Sequence, residues 1–377
     1  MLGINQNGNL LNGILPVEIS HLSALSTVKV FRNALTGTIP TQLFLLPDIA
    51  FLDLEENQFS GPIFPPELVN AAGTLEVFRA SNNKFTGSIP AMISEFSSLK
   101  EFWIAKNDLS GSIPDSIASL PSLTDFIAYK CNLTGPIPEN IGNLTLLDRL
   151  AINGNGIDGS IPVSIGSLTK LELLFLEDNA LTGEIPVSTA QLVALKTIHG
   201  DNNMLIGEIP SGFKDLVNLE IIILANNTLT GTIPAFSSTS LVWVDLMNNA
   251  LTGTIPESIF ASEPLQIVYL SNNALSGPIP ANYVQASNLR DLWLDSNELT
   301  GTIPGPSDAQ QLPKITEILL DNNRLSGSVP DALCALREAE PVQFSSLHAD
   351  CSPTPPNVFP NNVCAVGCCT DCSSGKI

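Results

Sequence analysis

The sequence predicts an α/β-type repeat solenoid, a stack of short strand-and-turn coils, on three observations. An asparagine recurs at near-constant spacing, a glycine follows it four residues later each time, and an apolar pair at period two precedes it. The asparagine register runs through Asn9, Asn33, Asn57, Asn83, Asn107, Cys131, Asn155, Asn179, Asn203, Asn227, Asn249, Asn273, Asn297 and Asn323. These are fourteen units, the first incomplete, nearly all 24 residues apart; two steps stretch to 26 and one shrinks to 22. The glycine register, Gly13 to Gly327, keeps step with it. Two registers in phase over this length exclude chance and override the two-domain expectation from length alone.

Each element of the unit has a physical reason. The apolar pair, Leu52 and Leu54 or Leu292 and Leu294, has period two, so one face of a short strand is buried. The asparagine closes the strand in a turn. Its amide carries two donors and an acceptor, enough to bond backbone of its own and adjacent coils and build a ladder. The glycine gives a tight backbone path, and the following Ile-Pro step favours extended chain over helix. A further apolar residue, Ile117 with Leu120 for example, closes the core on the outer side. One coil cannot bury its apolar face alone, so stacking is obligatory.

Composition limits the partners. The 377 residues carry 37 acids and 16 bases, a formal charge of −21, with 44% hydrophobic residues and 14% charged. That much apolar material excludes disorder. The acidic balance excludes nucleic acid and anionic membrane as partners, because both call for lysine and arginine. No apolar run is long enough to cross a bilayer, so direct membrane insertion is not expected of this chain.

The unit L-x-x-L-x-L-x-x-N-x-L-T/S-G-x-I-P resembles the plant-type class of leucine-rich repeats, found in receptor-like kinase ectodomains, polygalacturonase-inhibiting proteins and algal leucine-rich repeat proteins. The resemblance covers residues 1–330. It implies a right-handed superhelix with a parallel β-sheet on its concave side and irregular or 3-10 structure on its convex side. It also implies an extracellular or cell-surface setting, and it says little about ligand, since one scaffold serves many recognition tasks. No kinase motif accompanies the repeats.

Composition changes after Pro330, and residues 331–377 are expected to form a Cys-rich C-terminal cap. Cys334, Cys351, Cys364, Cys368, Cys369 and Cys372 lie there, and six cysteines allow fifteen pairings into three disulfides. Zinc is the alternative, on the Cys369-x-x-Cys372 spacing. Disulfides are preferred because a solenoid needs its last core sealed and the resemblance implies an oxidising compartment. At the other end, the resemblance leads one to expect a paired-cysteine cap and a targeting signal, and neither is visible; both are expected upstream of Met1. Cys131 takes the ladder position and reads as a buried structural thiol. Asn132, Asn143 and Asn226 head N-x-S/T triplets and are glycosylation candidates.

Function is sought on the outward strand positions, which fall six, four, two and one residues before each asparagine and are expected to be free of folding duty. All three tryptophans and two of the three tyrosines occupy them: Trp103, Tyr129, Trp243, Tyr269 and Trp293, with Phe175. Charge is polarised as well. These columns mix both signs as far as Arg149, and from residue 155 onward they hold acids and no lysine or arginine. Strands stack about 4.8 Å apart, which brings Trp243, Asp245, Tyr269, Asp291, Trp293 and Asp295 into one patch. Rings bordered by carboxylates suit a protein or peptide with basic residues, and they suit a carbohydrate too.

The expected function is non-catalytic, extracellular recognition of a peptide, protein or glycan, in the manner of a receptor ectodomain or a hydrolase inhibitor. An enzyme is disfavoured: Asp291 and Asp295 stand on an open sheet, and His21, His199 and His348 form no metal or triad spacing. No cofactor or metal is called for. The alternative is surface adhesion to ice or crystalline polysaccharide through the flank carrying Thr36-x-Thr38, Thr230-x-Thr232, Thr252-x-Thr254 and Thr300-x-Thr302, an array interrupted at Asp158, Glu184 and Glu208.

Overall fold

Every apolar pair described becomes a strand-and-turn coil. The structure, a computed structural model, describes residues 2–65, 73–307, 311–336 and 346–349. The chain divides into two units, 1–195 and 196–377. In the first, eight parallel strands follow one another in sequence order: Leu2–Asn5, Leu25–Lys29, Phe51–Asp53, Val77–Arg79, Glu101–Trp103, Asp125–Ile127, Arg149–Ala151 and Leu173–Phe175. In the second there are seven: Thr197–His199, Ile221–Ile223, Trp243–Asp245, Ile267–Tyr269, Asp291–Trp293, Glu317–Leu319 and Ser346–His348. Ser346–His348 pairs with Glu317–Leu319, so the sheet continues past residue 330 into the segment expected to cap it.

The central residue of each short strand is the core residue. Leu52, Phe78, Phe102, Phe126, Val244, Val268 and Leu292 are fully buried, as the period-two reading requires. Repeats stay in register, central residue on central residue: Phe102 pairs with Phe126, and Val268 with Leu292. In the first unit the core is partly aromatic, and Phe102 stacks on Phe126 with centroids 5.8 Å apart.

The asparagine ladder closes each coil. Asn57 donates to the carbonyls of Val30, Leu54 and Glu55 at 2.8, 3.2 and 3.0 Å, and its Oδ1 accepts the Leu35 N–H at 3.0 Å. Asn297 repeats the set with Leu270, Leu294, Asp295 and Leu275. One residue earlier the backbone turns left-handed, at φ between 51° and 63° from Arg32 to Asn322. Asparagine tolerates that region better than most residues, and Asn82, Asn202, Asn226, Asn248, Asn272 and Asn322 occupy it.

After the Ile-Pro step, proline is extended as expected and its carbonyl then accepts the first bond of a 3-10 turn. Pro40 has φ −60° and ψ 124°, and Leu43 N–H reaches its oxygen at 3.0 Å. Such turns, Thr41–Leu45 and Val163–Ser167 among them, form the side opposite the strands.

Cys131 marks a fault in this order. It is fully buried, its Sγ lies 3.2 Å from the Ile104 carbonyl, and burial pushes its thiol up to about 11. A sulfur cannot replace the amide oxygen as an acceptor. The Leu109 N–H, equivalent to those of Leu35 and Phe85, therefore has no side-chain oxygen to meet. At that coil the flanking sheet ends: Asp108–Leu109 is the last, two-residue strand of one sheet, and Thr134–Pro136 begins another.

Candidate binding face

Six of the expected site residues do converge. In the second unit Trp243 pairs with Ile267, Asp245 with Tyr269, Ile267 with Asp291, and Tyr269 with Trp293. Tyr269 and Trp293 stack with centroids 3.9 Å apart at 21° between planes. Trp243 meets Tyr269 edge-on at 6.4 Å and 84°. Trp293 Nε1 donates to Glu317 Oε2 at 2.9 Å.

These outward positions are not the solvated surface the alternation predicts. Trp243, Tyr269 and Trp293 are half-buried, and Asp245 is only 8% exposed. The cause is geometric: side chains one strand spacing apart on one face have nowhere to go but onto each other. The Tyr269 and Trp293 rings therefore lie face to face, with the Trp243 ring edge-on to Tyr269. Stacking takes one face each of Tyr269 and Trp293 from any cation–π contact or sugar.

Carboxylates border the rings, and each is held by a hydrogen bond from its own chain. Asp291 accepts from Thr316 Oγ1, and Asp295 accepts from Ser271 Oγ and from Ser296 Oγ, the last at 3.3 Å. Asp245 Oδ1 accepts the Met247 N–H at 3.2 Å. Burial, reinforced by the charge of Asp201, pushes its carboxyl up to about 6 despite that bond. The Tyr269 hydroxyl rises to about 12, through burial and then the charges of Asp291, Asp245 and Glu317. Burial lowers His199. No lysine or arginine stands at any outward strand position from residue 155 on.

Trp103, Tyr129 and Phe175 belong to the first unit, where chemistry differs. The Arg79 guanidinium lies 4.1 Å from the Trp103 ring and that of Arg149 5.9 Å; Lys106 lies 5.7 Å from the Tyr129 ring. The arginines are in turn ion-paired, Arg79 with Glu101 at 2.6 Å and Arg149 with Asp125 at 2.5 Å. These rings already hold cations of their own chain. Phe175 is half-buried, in register with Ala151.

One feature of the rim escaped the sequence reading. Asn226 Nδ2 donates to Asn202 Oδ1 at 2.8 Å, Asn248 to Asn226 at 2.7 Å and Asn272 to Asn248 at 2.9 Å, a directional amide ladder along the left-handed positions. The repeated Asn-Asn dipeptide was its signal. Of the glycosylation candidates, Asn226 sits in this ladder, Asn132 is exposed and donates to Asp108 at 2.8 Å, and Asn143 is exposed on the 3-10 turn Ile141–Asn143. Cys334 falls in the helix Asp331–Ala335; Cys351, Cys364, Cys368, Cys369 and Cys372 lie outside the described residues. Among the described residues no cluster of His, Cys, Asp or Glu could hold a metal ion, and no helix is long and apolar enough to cross a membrane.

Comparison with known proteins agrees with this architecture. The family model for the leucine-rich repeat matches residues 98–120 and 314–336, and that for the leucine-rich-repeat domain of the EGF-like domain-containing protein ComC matches 161–263. Receptor-like protein 49 of Arabidopsis thaliana is 38% identical over 74 residues, which are 20% of this chain and 9% of that protein. Receptor like protein 23 of the same plant is 41% identical over 69 residues, 18% and 8% of the two chains. The chain thus matches under a tenth of the length of these relatives.

Among solved structures, a TDR receptor superposes with TM-score 0.74 at 27% identity, covering 97% of this chain and 68% of that one. The plant peptide hormone receptor RGFR1 in complex with RGF2 gives 0.66 at 26%, covering 96% and 67%. A plant ice-binding protein gives 0.54 at 27%, covering 64% and 78%. Parallel strands, asparagine ladder and 3-10 turns define a leucine-rich-repeat solenoid. Its repeats are similar to those of the plant receptor-like proteins and receptor ectodomains that it matches, which supports the plant-type class of that family.

Proposed function

We propose that the chain is a non-catalytic, extracellular recognition module whose second unit docks a peptide or protein segment bearing lysine or arginine on its concave face. One observation carries the reading: Asp245, Asp291, Asp295 and Glu317 share a face whose strand positions hold no cation, and one of them is held partly desolvated as well. Uncompensated carboxylates cost free energy in the free protein, and a guanidinium or ammonium from a partner supplies the missing charge. A glycan is less suited, because the stack Tyr269–Trp293 occupies one face of each ring that a sugar would use. The structural neighbours include peptide hormone receptors, which supports a peptide as the kind of ligand.

The test is selection from a random displayed peptide library against the purified protein. Enriched peptides should carry arginine or lysine, and their binding should weaken at least tenfold in Asp291→Asn/Glu317→Gln. Enrichment without basic residues, or binding indifferent to the double change, overturns the reading.

The flank of the second unit supports a second reading, adhesion to an ordered surface. Thr230, Thr232, Thr252, Thr254, Thr300 and Thr302 are all exposed there, with Ser276, Pro278, Ser326 and Ser328 between and beyond; the charges on that sheet are Glu298, exposed and in register with Ser276, and Arg324, which pairs with it at 3.2 Å. A chain so acidic whose one flank over five repeats carries a single acid, itself paired to an arginine, has a surface suited to ice or crystalline polysaccharide. Thermal hysteresis abolished by Thr232→Lys and Thr254→Lys would support it; absence of hysteresis in the parent protein removes the ice-binding form.

A further inference from the structure

Asp245 is set apart from the other carboxylates of the second unit by where it sits. It is more than nine-tenths buried, as Ile223 and Ser271 on the same face are, whereas Asp291 and Asp295 are half-buried; it stands at the end of the strand Trp243–Asp245. Its Oδ1 takes the Met247 N–H, while Oδ2 has no donor among the described residues. Two strands pack against it. From Ile221–Ile223 comes the buried Ile223, which is in register with Asp245 and brings no charge. From Ile267–Tyr269 comes Tyr269, whose hydroxyl is pushed well above neutrality and stays protonated. Beyond these, Asp201 acts on Asp245 through its charge, Asp291 and Glu317 act on Tyr269 between them, and burial keeps His199 from charging near neutrality. Every ionised group facing Asp245 is therefore an anion.

We propose that Asp245 gates the concave groove by proton: with its carboxyl protonated the groove is closed to a cationic side chain, and with the carboxylate formed it accepts one at Oδ2. The inference rests on the reading of the groove as a cation-binding face. Its direction follows from linkage. Burial places the ionisation of Asp245 at about 6 in the free protein, and a bound cation favours the anion, so binding releases a proton. Affinity then rises with pH through that range. The gain is about tenfold between pH 5 and pH 7, because roughly nine-tenths of the groups are protonated at the lower value and one-tenth at the higher. A groove built this way holds its ligand at neutral pH and releases it in a mildly acidic compartment or wall.

The experiment uses the full chain and an amidated nona-arginine peptide as probe, with dissociation constants measured at pH 5 and pH 7 for the parent, Asp245→Asn and Glu317→Gln. The parent should bind about tenfold more tightly at pH 7. Asp245→Asn should bind weakly with a ratio near one, and Glu317→Gln should bind less tightly yet keep the tenfold ratio. Carbon-13 NMR of the Asp245 carboxyl supplies a readout independent of the probe and should show its titration near pH 6, moving lower when the peptide is added. Probe binding that weakens in Glu317→Gln but is pH-independent in the parent, or a tenfold ratio that survives in Asp245→Asn, overturns the gate and leaves the cation-binding face standing. Absence of probe binding at both pH values overturns both.

Discussion

The rings of Tyr269 and Trp293, one repeat apart in register, lie face to face with centroids 3.9 Å apart. This contact decides what the aromatic column is for. Outward strand positions were expected to be free of folding duty, yet the stack gives both rings a packing partner, and Trp293 is further tied to Glu317. The column is in part a packed ridge, in which each of these two rings takes one face of the other.

The stack predicts a coupling. Tyr269→Ala and Trp293→Ala should each destabilise the protein, and a double-mutant cycle in urea should return an interaction of about 1 kcal/mol, the usual worth of an aromatic pair beyond its burial. Strictly additive losses would show that the rings merely lie near one another.

Asp245 predicts how stability changes with pH. Its carboxyl titrates at about 6 when folded, against 3.8 for an ordinary aspartate, mainly through burial. The folded state holds the proton more tightly than the unfolded chain does. The stabilisation of the protonated form is complete below about pH 4 and is lost as pH rises through about 6. Asp245→Asn cannot ionise, so it should match the parent near pH 4 and exceed it at pH 8 by on the order of 2 kcal/mol. Urea midpoints at the two pH values check this; a difference of the same size at both would mean the ionisation contributes nothing.

On the side of the 3-10 turns, contact between coils depends on glycine for space rather than for backbone freedom. A Cβ on Gly166 would stand 2.4 Å from the Ser188 carbonyl oxygen, and one on Gly142 would stand 2.1 Å from that of Ser164. Both serines are pinned, since Ser188 Oγ donates to the Val163 carbonyl and Ser164 Oγ to that of Glu139, each at 2.6 Å. Gly166→Ala should therefore cost about 2–4 kcal/mol through a forced shift between coils. Gly156→Ala, where the nearest atom is 3.3 Å away, should cost far less. Equal melting temperatures for the two variants would refute the steric argument.

Most of this architecture was legible because each coil repeats one local solution. Leu52 and Asn57 state the strand and its closure, and the same words recur at Leu292 and Asn297, so periodicity did the work that no single window could. Register followed from the repeat length, which is why Trp243, Tyr269 and Trp293 could be placed together in advance. Their orientation could not. Whether a ring offers a face or an edge depends on its neighbour's rotamer, and the Arg79 and Arg149 contacts to Trp103 depend on long side chains whose reach spacing does not encode. The burial of Asp245 was hidden for a similar reason: alternation predicts which face a residue takes, not how crowded that face becomes.

The position of Cys131 in the asparagine register yields the last prediction. Elsewhere the residue at this place accepts a backbone N–H from the preceding coil, as Asn107 does from Phe85 at 3.0 Å and Asn155 from Leu133 at 3.0 Å. It also donates to carbonyls in two coils, which a thiol does only weakly, with a single hydrogen. Cys131→Asn places in the chain the residue that the surrounding backbone already fits, giving the Leu109 N–H an oxygen and the Ile104 carbonyl a better donor. Each restored bond contributes about 1 kcal/mol, so the variant should gain on the order of 1–2 kcal/mol. The change should be local in a recognisable way: the Leu109 amide should become markedly slower to exchange with deuterium, while the Phe85 amide, already bonded to Asn107, should not. If Leu109 exchanges as quickly in the variant as in the parent, the interruption between Asp108–Leu109 and Thr134–Pro136 has a cause other than the missing amide.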